Sequence, residues 1–176
     1  MRYVIVSVVK GEAGDFNNEL RKDVYEKFKA KSSKLPAHFT IKAPFEYSGS
    51  IESLEKTLEQ FVLKEKSAPY KLESFSHFDD RVIFMDVKMS KEGKILHDKL
   101  IERLEKLPYI NFNKKDGKDK KFHVTITSKK LPPKFKVVWD YVNEFSCNYH
   151  CVFDNITIYK WEDSTWKLYK EYTLLD

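Results

Sequence analysis

Apolar positions along this chain change period in a regular order. Arg2 to Val9 is almost continuously apolar and β-branched, which predicts a buried strand. From Asp15, a residue suited to capping, Phe16, Leu20, Val24 and Phe28 fall four apart and predict a helix to about Ala30. A polar link, Lys31 to Pro36, leads into a second strand at His38, limited by Pro44, which cannot donate to a ladder. Ser50 precedes a second helical stripe, Leu54, Leu58, Phe61 and Val62, and Pro69 opens a strand reaching His77.

The order then begins again. After Asp79-Asp80, Arg81 to Lys88 reads as a strand, and Ser90 caps a helix with Leu96, Leu100, Leu104 and Leu107 inward, ended by Pro108. His97 falls off that stripe and is expected in solvent. A charged link precedes a strand at His123, and Pro132-Pro133 opens a helix bearing Phe135, Val138, Trp139, Val142 and Phe145. Tyr149 to Trp161 reads as one long strand, with a last strand from Trp166 to Leu174 after a turn at Glu162-Asp163-Ser164. Each half reads strand, helix, strand, helix, strand. The expected architecture is therefore α+β: one domain of two β-α-β-α-β repeats, about 1–78 and 79–176, forming two lobes around a pseudo-twofold cleft.

The chemistry repeats with the elements. His38-Phe39-Thr40-Ile41 recurs as His123-Val124-Thr125-Ile126, each on the middle strand of its half. Strand alternation puts His38 and Thr40 on one face above Phe39 and Ile41, and His123 and Thr125 above Val124 and Ile126. Two imidazoles can divide acid–base work, one taking a proton and one giving it, because a pKa near 6.5 keeps both states populated around neutrality. The threonines are placed to hydrogen-bond non-bridging phosphate oxygens. The same alternation sends Lys42 and Thr127 to that face too, where Lys42 would add charge. Arg81 is a further candidate phosphate contact.

Composition narrows the class. Hydrophobic residues make 41% of the 176, aromatic 15% and charged 34%, an ordinary globular balance. No apolar run is long enough to cross a membrane, and the first residues lack a cleavage site, so a cytoplasmic protein with no membrane contact is expected. A net charge of +5 permits an anionic substrate without requiring one. The five lysines and two aspartates between Lys114 and Lys121 suit either a mobile flap for a polyanion or a solvated loop. Cys147 and Cys151 flank His150 without a second ligand pair and read as buried thiols rather than a metal site. His77, near Phe75 and Phe78, is a candidate substrate contact.

The duplicated His-x-Thr-hydrophobic motif resembles that of the two-histidine (2H) phosphoesterases, the LigT-like or 2′-5′ RNA ligase family. Leu35-Pro36-Ala37 before the first motif, the segment Phe75 to Phe84 and the helix Leu96 to Leu107 also look like that family. Phe122 stands where many relatives have proline, and Lys42 with the charged link before His123 looks closer to a small Firmicute branch. The resemblance implies a metal-independent, cofactor-free phosphoesterase, with His38 and His123 as the catalytic pair and Thr40, Thr125, Lys42, Thr127 and Arg81 as substrate-binding candidates. It also implies a partner that is an RNA end or nucleotide carrying a 2′,3′-cyclic or 2′-5′ phosphodiester, and a monomer. Ligation is the same chemistry reversed. The competing readings are a non-catalytic RNA-binding module using the cleft as a phosphate cradle, and a metal hydrolase, which would need a third ligand neither motif contains.

Overall fold

The computed structural model describes residues 1–176. Eight strands form two antiparallel four-stranded sheets, flanked by four α-helices. In chain order the elements are β1 (Arg2–Val8), α1 (Gly11–Phe28), β2 (His38–Glu46), α2 (Glu52–Val62), β3 (Ala68–Phe78) and β4 (Val82–Met89). They continue with α3 (Lys91–Leu104), β5 (His123–Thr127), a 3₁₀ turn (Pro132–Lys134), α4 (Phe135–Val142), β6 (Asn148–Phe153), β7 (Asn155–Glu162) and β8 (Thr165–Thr173). One sheet runs β2-β1-β7-β8, the other β5-β4-β3-β6. The motif strands β2 and β5 thus occupy matching edges, and the two edges pack against each other.

The lobes are not the sequence halves. β3, before the midpoint, completes the sheet of β4 and β5, while β7 and β8 complete the sheet of β1 and β2. A single cluster of 39 buried residues, from Ile5 and Phe39 to Val124 and Phe153, joins both sheets into one core. Tyr3 and Ile5 face that core, whereas Val4 and Val6 pack with Leu35 on the other face of β1. Continuous apolarity in β1 reflects burial on both sides.

Several boundaries differ from expectation for identifiable reasons. Helix α1 begins a turn before Asp15, at Gly11, with Lys10 as N-cap and no side-chain cap bond. Its buried stripe is Ala13, Asn17, Leu20 and Val24, so the polar Asn17 takes a core position. Ile51, not Ser50, is the N-cap of α2, although Ser50 Oγ still accepts from the Glu52 amide at 3.2 Å. Ser90 caps α3, accepting from Gly93 at 3.0 Å. β2 runs past Pro44 because an edge strand need not donate on its outer side. The expected strand from Tyr149 to Trp161 breaks at Asp154, where the chain passes from one sheet to the other; no glycine or proline marks the break.

Candidate active site

Each motif histidine begins its strand. His38 lies opposite Val8 in the β1–β2 ladder, and His123 opposite Asp86 in the β4–β5 ladder. His38 Nδ1 is 2.7 Å from the Pro36 carbonyl oxygen, and His123 Nδ1 is 2.9 Å from that of Lys121. A carbonyl can only accept, so in both cases Nδ1 carries the proton and donates. Each ring is fixed by the residue two before it, and each is left with Nε2 as its free nitrogen.

The two strands meet through the residues beside the histidines. The Phe39 and Phe122 rings pack edge to face at 5.6 Å, and Phe39 is fully buried. The imidazoles lie close enough that His38 feels the charge of His123. Desolvation pushes His38 down to about 4, against the Pro36 bond that would raise it, with Arg21, His123 and Lys120 lowering it further. Desolvation also lowers His123, with Lys120 and Lys121 adding to the effect. His123 is flanked by Phe78 and Phe84 at 5.0 and 5.2 Å; His38 has no such cage.

Thr40 and Thr125 are half-buried beside the histidines, opposite Val6 and Phe84 in their ladders. The positions two further on do not continue the pattern. A register shift falls between the Thr40 and Lys42 pairings in β2, and another between those of Thr125 and Thr127 in β5. A bulge places consecutive side chains on the same side, so the alternation that groups 38, 40 and 42 fails after 40. Both strands show it: Ile41 and Lys42 are buried together, as are Ile126 and Thr127. Lys42 is 5% exposed, its Nζ 2.7 Å from Asp116 Oδ2 and 5.5 Å from the Phe112 ring centroid. Thr127 donates to the Lys31 carbonyl at 2.9 Å. Neither is the free cleft-facing group expected from alternation. Arg81 lies outside β4, exposed in the β3–β4 turn, with Nη2 3.0 Å from Asp79 Oδ2.

Other expectations are displaced as well. His97 is fully buried, not solvated, its ring edge to face with Phe122 at 4.7 Å. The Lys114–Lys121 segment is pinned rather than free. Asp116, 2% exposed, accepts from Lys42 and from the Asn113 and Ala43 amides, and Lys94 donates to the Lys118 carbonyl. His77 is exposed, against Phe135 and Trp139, and Phe75 belongs to the core. Cys147 is buried and Cys151 half-buried, both as free thiols. No three His, Cys, Asp or Glu side chains converge on a common point.

The sequence reading missed the face of α1 that holds both motifs. Asn17 Nδ2 donates to the Thr125 carbonyl at 3.2 Å, and Asn18 Oδ1 accepts from the Ala37 amide at 3.1 Å. Arg21 Nη2 donates to the Ser33 and Leu35 carbonyls at 2.6 and 2.8 Å, holding the lead into His38. A polar residue at a core position of the 3.6-residue pattern, Asn17, is the signal that points to this face. Lys120, half-buried near both imidazoles, was also missed among its lysine neighbours.

The sequence profile of the 2′-5′ RNA ligase superfamily matches residues 11–165, a span that includes both motifs. The chain belongs to this superfamily. Solved structures agree with the fold at low identity. TT0787 of Thermus thermophilus superposes with a TM-score of 0.65 at 14% identity, over 99% of this chain and 98% of that one. E. coli LigT superposes with TM-scores of 0.60 in its NADP+ complex and 0.59 in its 3′-AMP complex, at 13 and 14% identity and the same coverage. No curated protein sequence matches. As a member of a superfamily of phosphoesterases and RNA ligases, the chain has a LigT-like, two-lobed fold, and no helix in it is long and apolar enough to cross a membrane.

Proposed function

We propose that this superfamily member opens 2′,3′-cyclic phosphates or 2′-5′ phosphodiesters at the ends of RNA or nucleotides, using His38 and His123 as an acid–base pair without a metal. The matched Nδ1–carbonyl bonds carry this reading, because they leave one free Nε2 on each of two packed edge strands. His38, the more strongly depressed imidazole, is suited to be the base, and His123 the acid. Nε2 of His38 takes a proton from water as its oxygen bonds to phosphorus. Protonated His123 gives its proton to the departing ribose oxygen. The products are a phosphomonoester and a free hydroxyl, and the histidines exchange protonation states for solvent to restore.

Thr40 and Thr125, half-buried beside the histidines, donate to the non-bridging oxygens as charge builds on them. With a ribose 5′-hydroxyl in place of water, the same steps join two ends: the hydroxyl loses its proton to His38 as its oxygen bonds to the cyclic phosphorus, and one ribose oxygen departs with the proton of His123. Both histidines come from one chain, so a monomer suffices. The solved 3′-AMP complex of E. coli LigT shows a nucleotide accompanying a fold of this kind, in keeping with a nucleotide-end substrate.

The test is a screen of 2′,3′-cyclic nucleotides and 2′-5′ linked oligonucleotides, with and without excess chelator, on the wild type and the His38→Ala and His123→Ala variants. Turnover that persists in chelator and is lost in both variants is expected. Turnover abolished by chelator and restored by zinc or manganese overturns the metal-free mechanism. Binding that survives histidine replacement, with no turnover anywhere, leaves a non-catalytic RNA-binding module.

A further inference from the structure

Five lysines lie between 114 and 121, and the fold separates them by what neutralises each. Lys118 meets Glu102 at 2.7 Å and Lys121 meets Asp86 at 2.5 Å, while Lys114 and Lys115 are exposed. Lys120 alone is drawn in without a carboxylate partner. Its Nζ sits 5.3 Å from the centroid of Phe122, the ring that meets Phe39 beside His38 and immediately precedes His123. A desolvated ammonium over an aromatic face keeps some stabilisation from the ring but lacks a counter-charge.

The groups facing Lys120 from every side are few. Asp116 on its own segment and Lys42 on β2 already neutralise one another at 2.7 Å. His38 on β2, His123 on β5 and His97 on α3 are imidazoles, each of them lowered in part by Lys120. Arg21, the other cation facing His38, has its guanidinium engaged by Ser32, Ser33 and Leu35. One positive group beside the two histidines is therefore uncommitted.

We propose that Lys120 is the phosphate-binding cation of the site, its Nζ donating to the non-bridging oxygens of the group held between His38 and His123. This rests on the phosphoesterase reading above and assigns Lys120 the part that the position of Lys42 suggested and its buried pair with Asp116 forecloses. The ammonium would lower the cost of the extra negative charge that develops as water adds to phosphorus. Burial pushes the free amine down to about 7, Asp116 raising it and Lys42 lowering it. A bound anion restores the charged form. The sign follows: above pH 7 the empty site holds a neutral amine and the occupied site an ammonium, so anion binding takes up a proton.

Titration calorimetry with 3′-AMP at pH 8.5, in buffers of different ionisation heat, reads that proton directly. This pH is well above the ordinary range of both imidazoles, which contribute little. Wild type is expected to take up about one proton on binding, while Lys120→Gln takes up none and binds ~10-fold or more weakly, as for loss of a charge-assisted hydrogen bond. Lys120→Arg, charged at every pH, should bind comparably to wild type with no proton uptake, which a merely structural role would not produce. Melting curves of both variants establish folding, and if Lys120→Gln does not fold, the loss of proton uptake in Lys120→Arg decides alone.

Unchanged affinity and proton uptake in the variants overturns the assignment, and if the wild type still turns over cyclic or 2′-5′ substrates, the phosphoesterase reading stands without it. Proton uptake that depends on Lys120 in a protein that turns nothing over supports the phosphate site and removes the phosphoesterase. A wild type that binds neither 3′-AMP nor inorganic phosphate removes both.

Discussion

Phe39 and Phe122 meet edge to face at 5.6 Å, joining the residue after one site histidine to the residue before the other. The contact spans two sheets that share no ladder there, so the spacing of the imidazoles depends on this apolar packing together with the α1 bonds to both motifs and the Lys31–Lys129 backbone bridge. Phe39 also packs against Tyr70 and Phe153 at 5.6 and 5.0 Å, which makes it the hub of the seam.

Phe39→Ala should accordingly cost about 3–5 kcal/mol of stability, the usual range for emptying a buried phenylalanine site. Phe39→Leu should cost less, yet still lower turnover, because near-attack geometry tolerates little displacement. Urea melts and kcat for the two variants check this. A Leu variant with lowered stability but wild-type kcat would show that the seam does not set the histidine spacing.

The two histidines should separate by the limb of the pH profile each removes. Both are lowered in the free protein, His38 to about 4, so the kcat/KM optimum should lie on the acid side of 6.5. A bound anionic phosphate favours imidazolium and should move the kcat profile upward. Each alanine variant should lose roughly 10²–10⁴ in kcat, and the double variant little more than the worse single one. Below pH 7, where Lys120 keeps its charge, residual activity of His38→Ala should fall with rising pH and that of His123→Ala should rise. The opposite pairing would exchange the roles assigned to base and acid.

Much of this arrangement is legible in the residues. The 3.6- and 2-residue periods find all four helices and most strands, and the repeated His-x-Thr picks out the two motif strands as equivalent, though as the middle strand of each half and not as the sheet edges they form. Three features escape for physical reasons. The exchange of β3 for β7 and β8 between sheets is a matter of long-range pairing, on which local periodicity is silent. The bulges after Thr40 and Thr125 invert a face assignment that strict alternation gives, and no glycine or proline announces them. Lys120 is one of five lysines in a short stretch, and only packing distinguishes it from its neighbours.

Lys42 tests the bulge. Were it a free cleft charge, its replacement would weaken substrate binding in a salt-dependent way. Paired inside with Asp116, it should instead act on stability: Lys42→Ala or Asp116→Ala alone should cost on the order of 3–5 kcal/mol by stranding the partner. The double replacement Lys42→Met with Asp116→Leu should recover part of that loss, although the amides of Asn113 and Ala43 would lose their acceptor. A Lys42→Ala variant with a wild-type melting temperature and a raised, salt-sensitive KM would return Lys42 to the substrate.

His97 should make the fold acid-sensitive. Both ring nitrogens are buried without a hydrogen-bond partner, and although Asp98 Oδ1 lies 3.8 Å from Nδ1, that oxygen is held by Lys94 at 2.6 Å. Burial therefore prevails and pushes the imidazole down to about 3, with Lys120 and Lys94 adding to it. In the unfolded chain a histidine titrates near 6.5. Between those values the unfolded state binds a proton that the folded state cannot, so stability is intact above about 6.5 and declines as pH falls, by up to ~1.4 kcal/mol per unit from this residue. Asp86 and Asp116 are held below the ordinary carboxylate range by their lysines despite burial, and their losses come mainly at still lower pH. Replacing His97 with Leu removes the titration and the two orphaned nitrogens together. Its melting temperature should match or exceed wild type at pH 7.5 and fall more shallowly between pH 6.5 and 4.5. Parallel curves for the two proteins across that interval would mean that His97 finds a proton or a partner inside the fold, and the acid sensitivity would have to come from another group.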